Sequence, residues 1–150
     1  VDTLEIRGIC PACNIPEISE HIALECDTPS QKLIWTDRAA MVQKYRDWPK
    51  LNWGLVPGCN LVKFKSLQGK VTKHKGRLFT ILVLVGRHLI WNLRVDRAIT
   101  NPDRIITNSE IHNQWLKAVN SALQCDRMST DKLRLGPLAL KSQLVLNTWS

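Results

Sequence analysis

Apolar side chains recur along most of this chain at the three- and four-residue spacing of an amphipathic helix. Leu33, Ile34, Ala40, Met41, Val42 and Tyr45 share one face of a helix opening at Thr28-Pro29, an N-cap followed by a first-turn proline. Trp48-Pro49 ends it. Between residues 77 and 98, the run Ile81 to Val85 alone would pass for a buried strand. Leu78, Ile81, Leu82, Val85, Leu89 and Leu93 nevertheless keep the helical period and predict one long helix. Ile111, Trp115, Val119 and Leu123 mark another, capped by Ser109 with Glu110 in its first turn. A last helix starts at Ser129 or Thr130 and is broken near Gly136-Pro137.

The remaining segments lack that period. Residues 49–76 hold Pro49, Gly54, Pro57, Gly58, Gly69 and Gly76 and read as loop with short strands. Leu4 to Ile9 is an extended lead-in to Cys10, and Pro16 to Glu25 a short helix with Glu17 and Glu20 near its positive end. The predicted fold is mainly α. A short metal-binding segment, 1–30, is followed by a basic helical domain, 31–150, of three to four longer helices packed with it as one unit.

At 150 residues and 44% apolar content the chain can bury a core, which excludes disorder as a description of the whole. The net charge of +8 is unevenly spread. Residues 1–36 carry two bases and six acids, whereas residues 37–150 carry 19 bases and seven acids. The positive excess points to a polyanion, nucleic acid before membrane. The apolar run Leu78 to Val85 is far shorter than the roughly 20 residues of a membrane span. With five cysteines and no signal peptide, the chain reads as intracellular, in cytoplasm and nucleus, with no membrane partner. It opens on Val1 and stops at Ser150, which reads as a piece of something longer.

Cys10, Cys13, His21 and Cys26 have the spacing C-x2-C-x7-H-x4-C. Zinc takes four tetrahedral nitrogen or sulfur ligands, and a CxxC turn presents two thiolates to one ion. On a helix His21 and Cys26 stand about 7.5 Å apart along the axis, close enough to converge on the turn. Four protein ligands leave no open position, so the expected site is structural and holds one Zn²⁺. The rivals are plain buried cysteines with a surface histidine, and a redox CxxC, whose βαβ context is missing from the helical sequence that follows. Cys125 reads as a small core residue and Cys59 as a loop thiol.

Cys10-Pro-Ala-Cys13, Glu17, Glu20-His21-Ile22 and Leu24-Glu25-Cys26 resemble the reverse-transcriptase zinc-binding domain near the C-terminus of non-LTR (LINE-like) retrotransposon polyproteins. The family pattern C-x2-C-x3-E-x3-H-x4-C is matched at all five marked positions. The rest is similar, more loosely, to the tail of fungal elements of this type, through Trp35, Leu89 to Arg94, Glu110 to Trp115 and the ending Val145 to Ser150. The resemblance implies a non-catalytic accessory module of a reverse transcriptase polyprotein that contacts RNA or target DNA. Upstream polymerase or RNase H domains are implied as possible partners. The alternatives are a structural tail packing against those domains, or an inactive remnant of the element.

Catalysis has no visible seat. Polymerase and RNase H chemistry needs clustered carboxylates for paired metals, and the acids after Thr36 are scattered singly. There is no P-loop and no Gly-x-Ser-x-Gly elbow, and His74, His88 and His112 have no nucleophile in a recognisable frame. The chain is therefore not expected to be an enzyme. Residues 63–77 instead gather Lys63, Lys65, Lys70, Lys73, Lys75 and Arg77 with no acid among them, and Arg87, Arg94 and Arg97 extend the charge along the next helix. These nine are the candidate phosphate contacts, against the alternative of a merely solvated loop. Trp35, Trp91 and Trp115 are expected in the core, and Trp48, Trp53 and Trp149 are the candidates for stacking on bases.

Overall fold

In a computed structural model that describes residues 8–42 and 48–150, the chain is a helical bundle with the cysteine-rich segment packed against one side. The helices are α1 (Pro29–Met41), α2 (Lys73–Val95), α3 (Asn108–Met128), the single turn α4 (Lys132–Leu135) and α5 (Ser142–Trp149). A wide turn, His21–Glu25, precedes them, and another, Asp96–Thr100, continues α2. The mainly α expectation holds, with α1, α2 and α3 as the long helices. The expected extension of α1 to Tyr45 and the lead-in before Gly8 lie outside the described residues.

The central helix α2 is apolar on two sides and builds a core on each. Leu78, Leu82, Leu89 and Leu93 meet Ile34 of α1 and Ile111, Trp115 and Val119 of α3. Phe79 and Val83 face the opposite way, onto Phe64 and Cys59. By length and composition Lys73–Thr100 is apolar enough to cross a membrane; here its apolar residues line these two cores. The expected loop holds for residues 49–72, with one isolated bridge between Lys65 and Val71 and a helical turn at Cys59–Leu61, but residues 73–76, read as loop, form the first turn of α2. It is also a packed wall, because Val56, Cys59 and Phe64 are buried. Trp48 stands edge-on to Phe79 at 5.2 Å between centroids, and the Arg38 guanidinium lies 5.2 Å from the Trp48 ring. Burial pushes the Arg38 guanidinium down to about 10.

Several local expectations are corrected. Helix α3 is capped by Thr107, whose hydroxyl accepts from the Glu110 N–H while the Glu110 carboxylate accepts from the Thr107 N–H; Ser109 lies inside the helix. The last helical segment is capped one or two residues later than read, by Asp131, whose side chain accepts from the Leu133 and Arg134 N–H groups. It breaks at Gly136, whose φ of 53° suits glycine, before α5 resumes. Cys125 is exposed on α3, while Cys59 is buried and its thiol pushed up by desolvation. Trp91 is 48% exposed, whereas Trp115 is fully buried and Trp35 half-buried. Trp48 and Trp149 pack against the core clusters instead of standing free, and the Trp149 indole donates to Asp126 at 2.8 Å.

One close approach fixes how α1 crosses α2. A Cβ at Gly86 would sit 2.6 Å from the Trp35 ring, and Trp35 cannot simply swing away because its indole N–H donates to the Ala23 carbonyl at 2.7 Å. In an exposed helix, Gly→Ala gains about 1 kcal/mol; overpacking costs about 1–3 kcal/mol. Gly86→Ala is expected to destabilise the protein by up to about 2 kcal/mol in urea unfolding, and a stabilised variant would contradict this packing.

Candidate metal centre

The four residues singled out by spacing come together. One ligand atom from each of Cys10, Cys13, His21 and Cys26 lies within 4.8 Å of the others. Two local devices achieve this. At the CxxC turn the Asn14 N–H donates to the Cys10 carbonyl at 2.8 Å and the Cys10 N–H to the Ile15 carbonyl at 2.9 Å. Asn14 takes a φ of 54°, a left-handed conformation that asparagine tolerates better than most residues. Ile9 and Pro16 bridge at the base of this hairpin.

The second device corrects the expected helix over Pro16 to Glu25. His21–Glu25 is a π-helical turn, in which the Cys26 N–H donates to the His21 carbonyl at 2.8 Å. In an α-helix a residue five positions on lies about 140° around the axis. The wider i→i+5 turn returns it to nearly the same side, so His21 and Cys26 can face one point.

The donor set fits a metal ion. Cys26 Sγ is 3.8 Å from Cys10 Sγ and 3.9 Å from Cys13 Sγ. These are too long for a disulfide and close to the edge, about 3.8 Å, of a tetrahedron with sulfur about 2.3 Å from its centre. His21 is buried, and neither of its ring nitrogens has a hydrogen-bond partner. A metal in the cluster would satisfy one of them. Partners behind the sulfurs complete the picture: the Asp27 N–H donates to Cys13 Sγ at 3.3 Å and the Thr28 hydroxyl to Cys26 Sγ at 3.4 Å. Thr28 was expected to cap α1 with its side chain and is turned to the cluster instead.

Crowding splits the thiols. Burial alone would raise Cys26, but the Thr28 hydroxyl and N–H and the neighbouring sulfurs hold it below the ordinary thiol value. The Asp27 N–H lowers Cys13, but desolvation with Cys26 and Cys10 alongside leaves it raised. Three contiguous thiolates are mutually repulsive unless a cation sits among them.

Three contacts attach the segment to the bundle. Ile22 enters the main core. The Ala23 carbonyl accepts from Trp35 and, at 3.2 Å, from the Gln31 side chain. Arg94 of α2 donates through Nε at 3.0 Å and through a second nitrogen to the Glu17 carboxylate, whose side chain is 3% exposed. No family model, no curated protein and no solved structure matches this chain.

The nine candidate phosphate contacts do not form one class. Lys63, Lys65, Lys70, Lys73 and Arg87 are exposed, and Lys75 and Arg97 half-buried. Arg77 is paired with Asp126 at 2.6 Å and Arg94 with Glu17, both as internal braces. Sequence reasoning missed Asn14 and Thr28 as parts of the centre; an asparagine directly after the second cysteine was the available signal for the first. Because so little apolar surface orders this segment, metal binding and local folding should be one event. A strong chelator is expected to release one metal ion per chain and to melt residues 8–30, read by metal analysis and circular dichroism. An unchanged spectrum with no metal released would contradict the centre.

Proposed function

We propose that the chain is a zinc-anchored, non-catalytic module that binds nucleic acid through backbone phosphates. Following the resemblance of residues 10–26, we assign it to the reverse transcriptase polyprotein of a non-LTR retrotransposon, where it would contact RNA or target DNA. Zinc is the ion this reading names, because three thiolates and an imidazole are a donor set suited to it and leave no position for substrate. Such a centre carries a formal −1, so its role is to hold the fold while cations elsewhere meet the polyanion.

The observation that carries the reading is a long stretch of sequence without carboxylates. From Trp48 to Val95 the sequence has no Asp or Glu, and the lysines of this stretch stand on ordered backbone. The Ser66 N–H donates to the Lys70 carbonyl at 2.8 Å, the Thr72 N–H to the Phe64 carbonyl at 2.7 Å, and Phe64 is buried below. Lys63, Lys65, Lys70 and Lys73 are thus displayed at fixed spacing, a geometry that neutralises several phosphates together. A second reading, a tail that packs against the polymerase or RNase H portion, is supported by the exposed Leu133 and Leu138.

RNA and single-stranded DNA binding across a salt series tests the proposal. Affinity is expected to fall steeply with salt. Replacing Lys70, Lys73 and Lys75 together by Gln should lower the slope of log K against log salt by about two to three contacts. No affinity at low salt, or no loss on replacement, would overturn it, and association insensitive to salt would favour the tail.

A further inference from the structure

One face of α2 is partly exposed. Ile81, Leu84, His88 and Trp91 follow one another at steps of three and four, a single stripe along the helix, with Arg87 beside it. Leu84 is 47% exposed and Trp91 48%. Two cavities open on the stripe. One, of about 320 Å³, is lined by Lys63, Lys73 and Arg77 among others. The other, of about 520 Å³, lies between the metal-binding segment and the loop, with Trp53, Trp91, Leu84, Arg87 and His88 on its walls. Among the described residues no carboxylate lines either.

The larger cavity joins an aromatic part to a cationic one. Trp53 sits on a turn fixed by the Leu55 N–H, which donates to the Asn52 side chain at 3.1 Å, and by the fully buried Val56. The Arg94 guanidinium lies over the Trp91 ring, 5.7 Å from its centroid, and is itself held by Glu17. The turn that carries Trp53 is thus fixed, and the Trp91 ring is backed by a guanidinium. An apolar peptide would be served by aliphatic walls and gains nothing from Arg87 and His88. An unpaired nucleotide uses both: its base stacks on indole and its phosphate meets the cation.

We infer that this cavity takes an unpaired base of a single-stranded nucleic acid, stacked on Trp53 and Trp91 with Arg87 at the adjoining phosphate. The strand then continues along α2 toward Lys73, about 21 Å from Arg87 by helical rise, and onto the loop lysines. This rests on the nucleic-acid reading above and adds a preference that the lysines alone do not give. Phosphate contact is blind to strandedness, whereas stacking needs a base that is free.

The test compares a fluorescent single-stranded oligonucleotide with a hairpin duplex of equal length, on the full chain at low salt. Trp91→Ala, at a half-exposed position, is expected to weaken single-strand binding roughly 5- to 100-fold and to leave duplex binding unchanged. Trp91→Phe should restore most of the loss. Arg87→Gln, at an exposed position, should weaken single-strand binding severalfold and lower its salt slope by about one contact. Single-strand binding unchanged in both variants, or an equal loss for strand and duplex in Trp91→Ala, overturns the inference while phosphate binding stands. No binding of either probe to the unaltered chain removes the nucleic-acid reading itself, and the inference with it.

Discussion

The Glu17 carboxylate, almost fully buried and closed on Arg94, is the contact on which the arrangement of the site rests. The cysteine-rich segment offers the bundle little apolar surface besides Ile22 and Ala23, so hydrophobic burial alone would place it loosely. A buried ion pair contributes little net stability, because desolvation offsets much of its attraction. What it supplies is position, since any other placement of the segment strands a guanidinium or a carboxylate without its partner. Arg94 also lies over Trp91, so one side chain of α2 fixes both the metal-binding segment and an indole of the neighbouring cavity. Trp35 does the same from α1, holding the Ala23 carbonyl on one side and the backbone of Gly86 on the other.

The charge distribution acquires a different meaning from this arrangement. The positive excess after residue 36 is not all surface, because Arg77 and Arg94 are spent on Asp126 and Glu17 inside the fold. Of the nine candidate contacts, Lys63, Lys65, Lys70, Lys73 and Arg87 remain exposed, and further exposed cations such as Lys117, Arg127 and Lys141 lie elsewhere on the fold. In the proposed function the two ends of the protein divide the work. The acidic, thiol-rich end orders the chain, and the acid-free stretch from Trp48 to Val95 meets the polyanion.

Most of the helices were legible because their period was long and unbroken, as in Leu78 to Leu93, where an apparent strand resolved into a helix. The four residues of the Cys/His cluster were legible from spacing alone. What spacing could not convey was the kind of turn: H-x4-C was read on an α-helix, and the chain uses the wider π turn that brings residue 26 back over residue 21. The packed wall at 49–76 was illegible as a wall because Val56, Cys59 and Phe64 follow no period, and their burial is decided by Phe79 and Val83, far away in sequence. Trp91 stands two positions from Leu89 and Leu93, about 200° around α2, so the period that the core residues keep already turns it to the opposite side. Cys125 and Ser109 were misplaced for local reasons. The first sits on the solvent side of α3, and the second was outcompeted as a cap by Thr107, whose pairing with Glu110 satisfies two backbone donors.

The central claim is that Cys10, Cys13, His21 and Cys26 hold one ion as a closed set of four, zinc on the proposed reading. X-ray absorption at the metal edge of the purified chain tests it most directly. The account predicts one ion per chain with three sulfur ligands at about 2.3 Å and one nitrogen at about 2.0–2.1 Å. An edge dominated by oxygen ligands, or a chain that holds no metal, would contradict it.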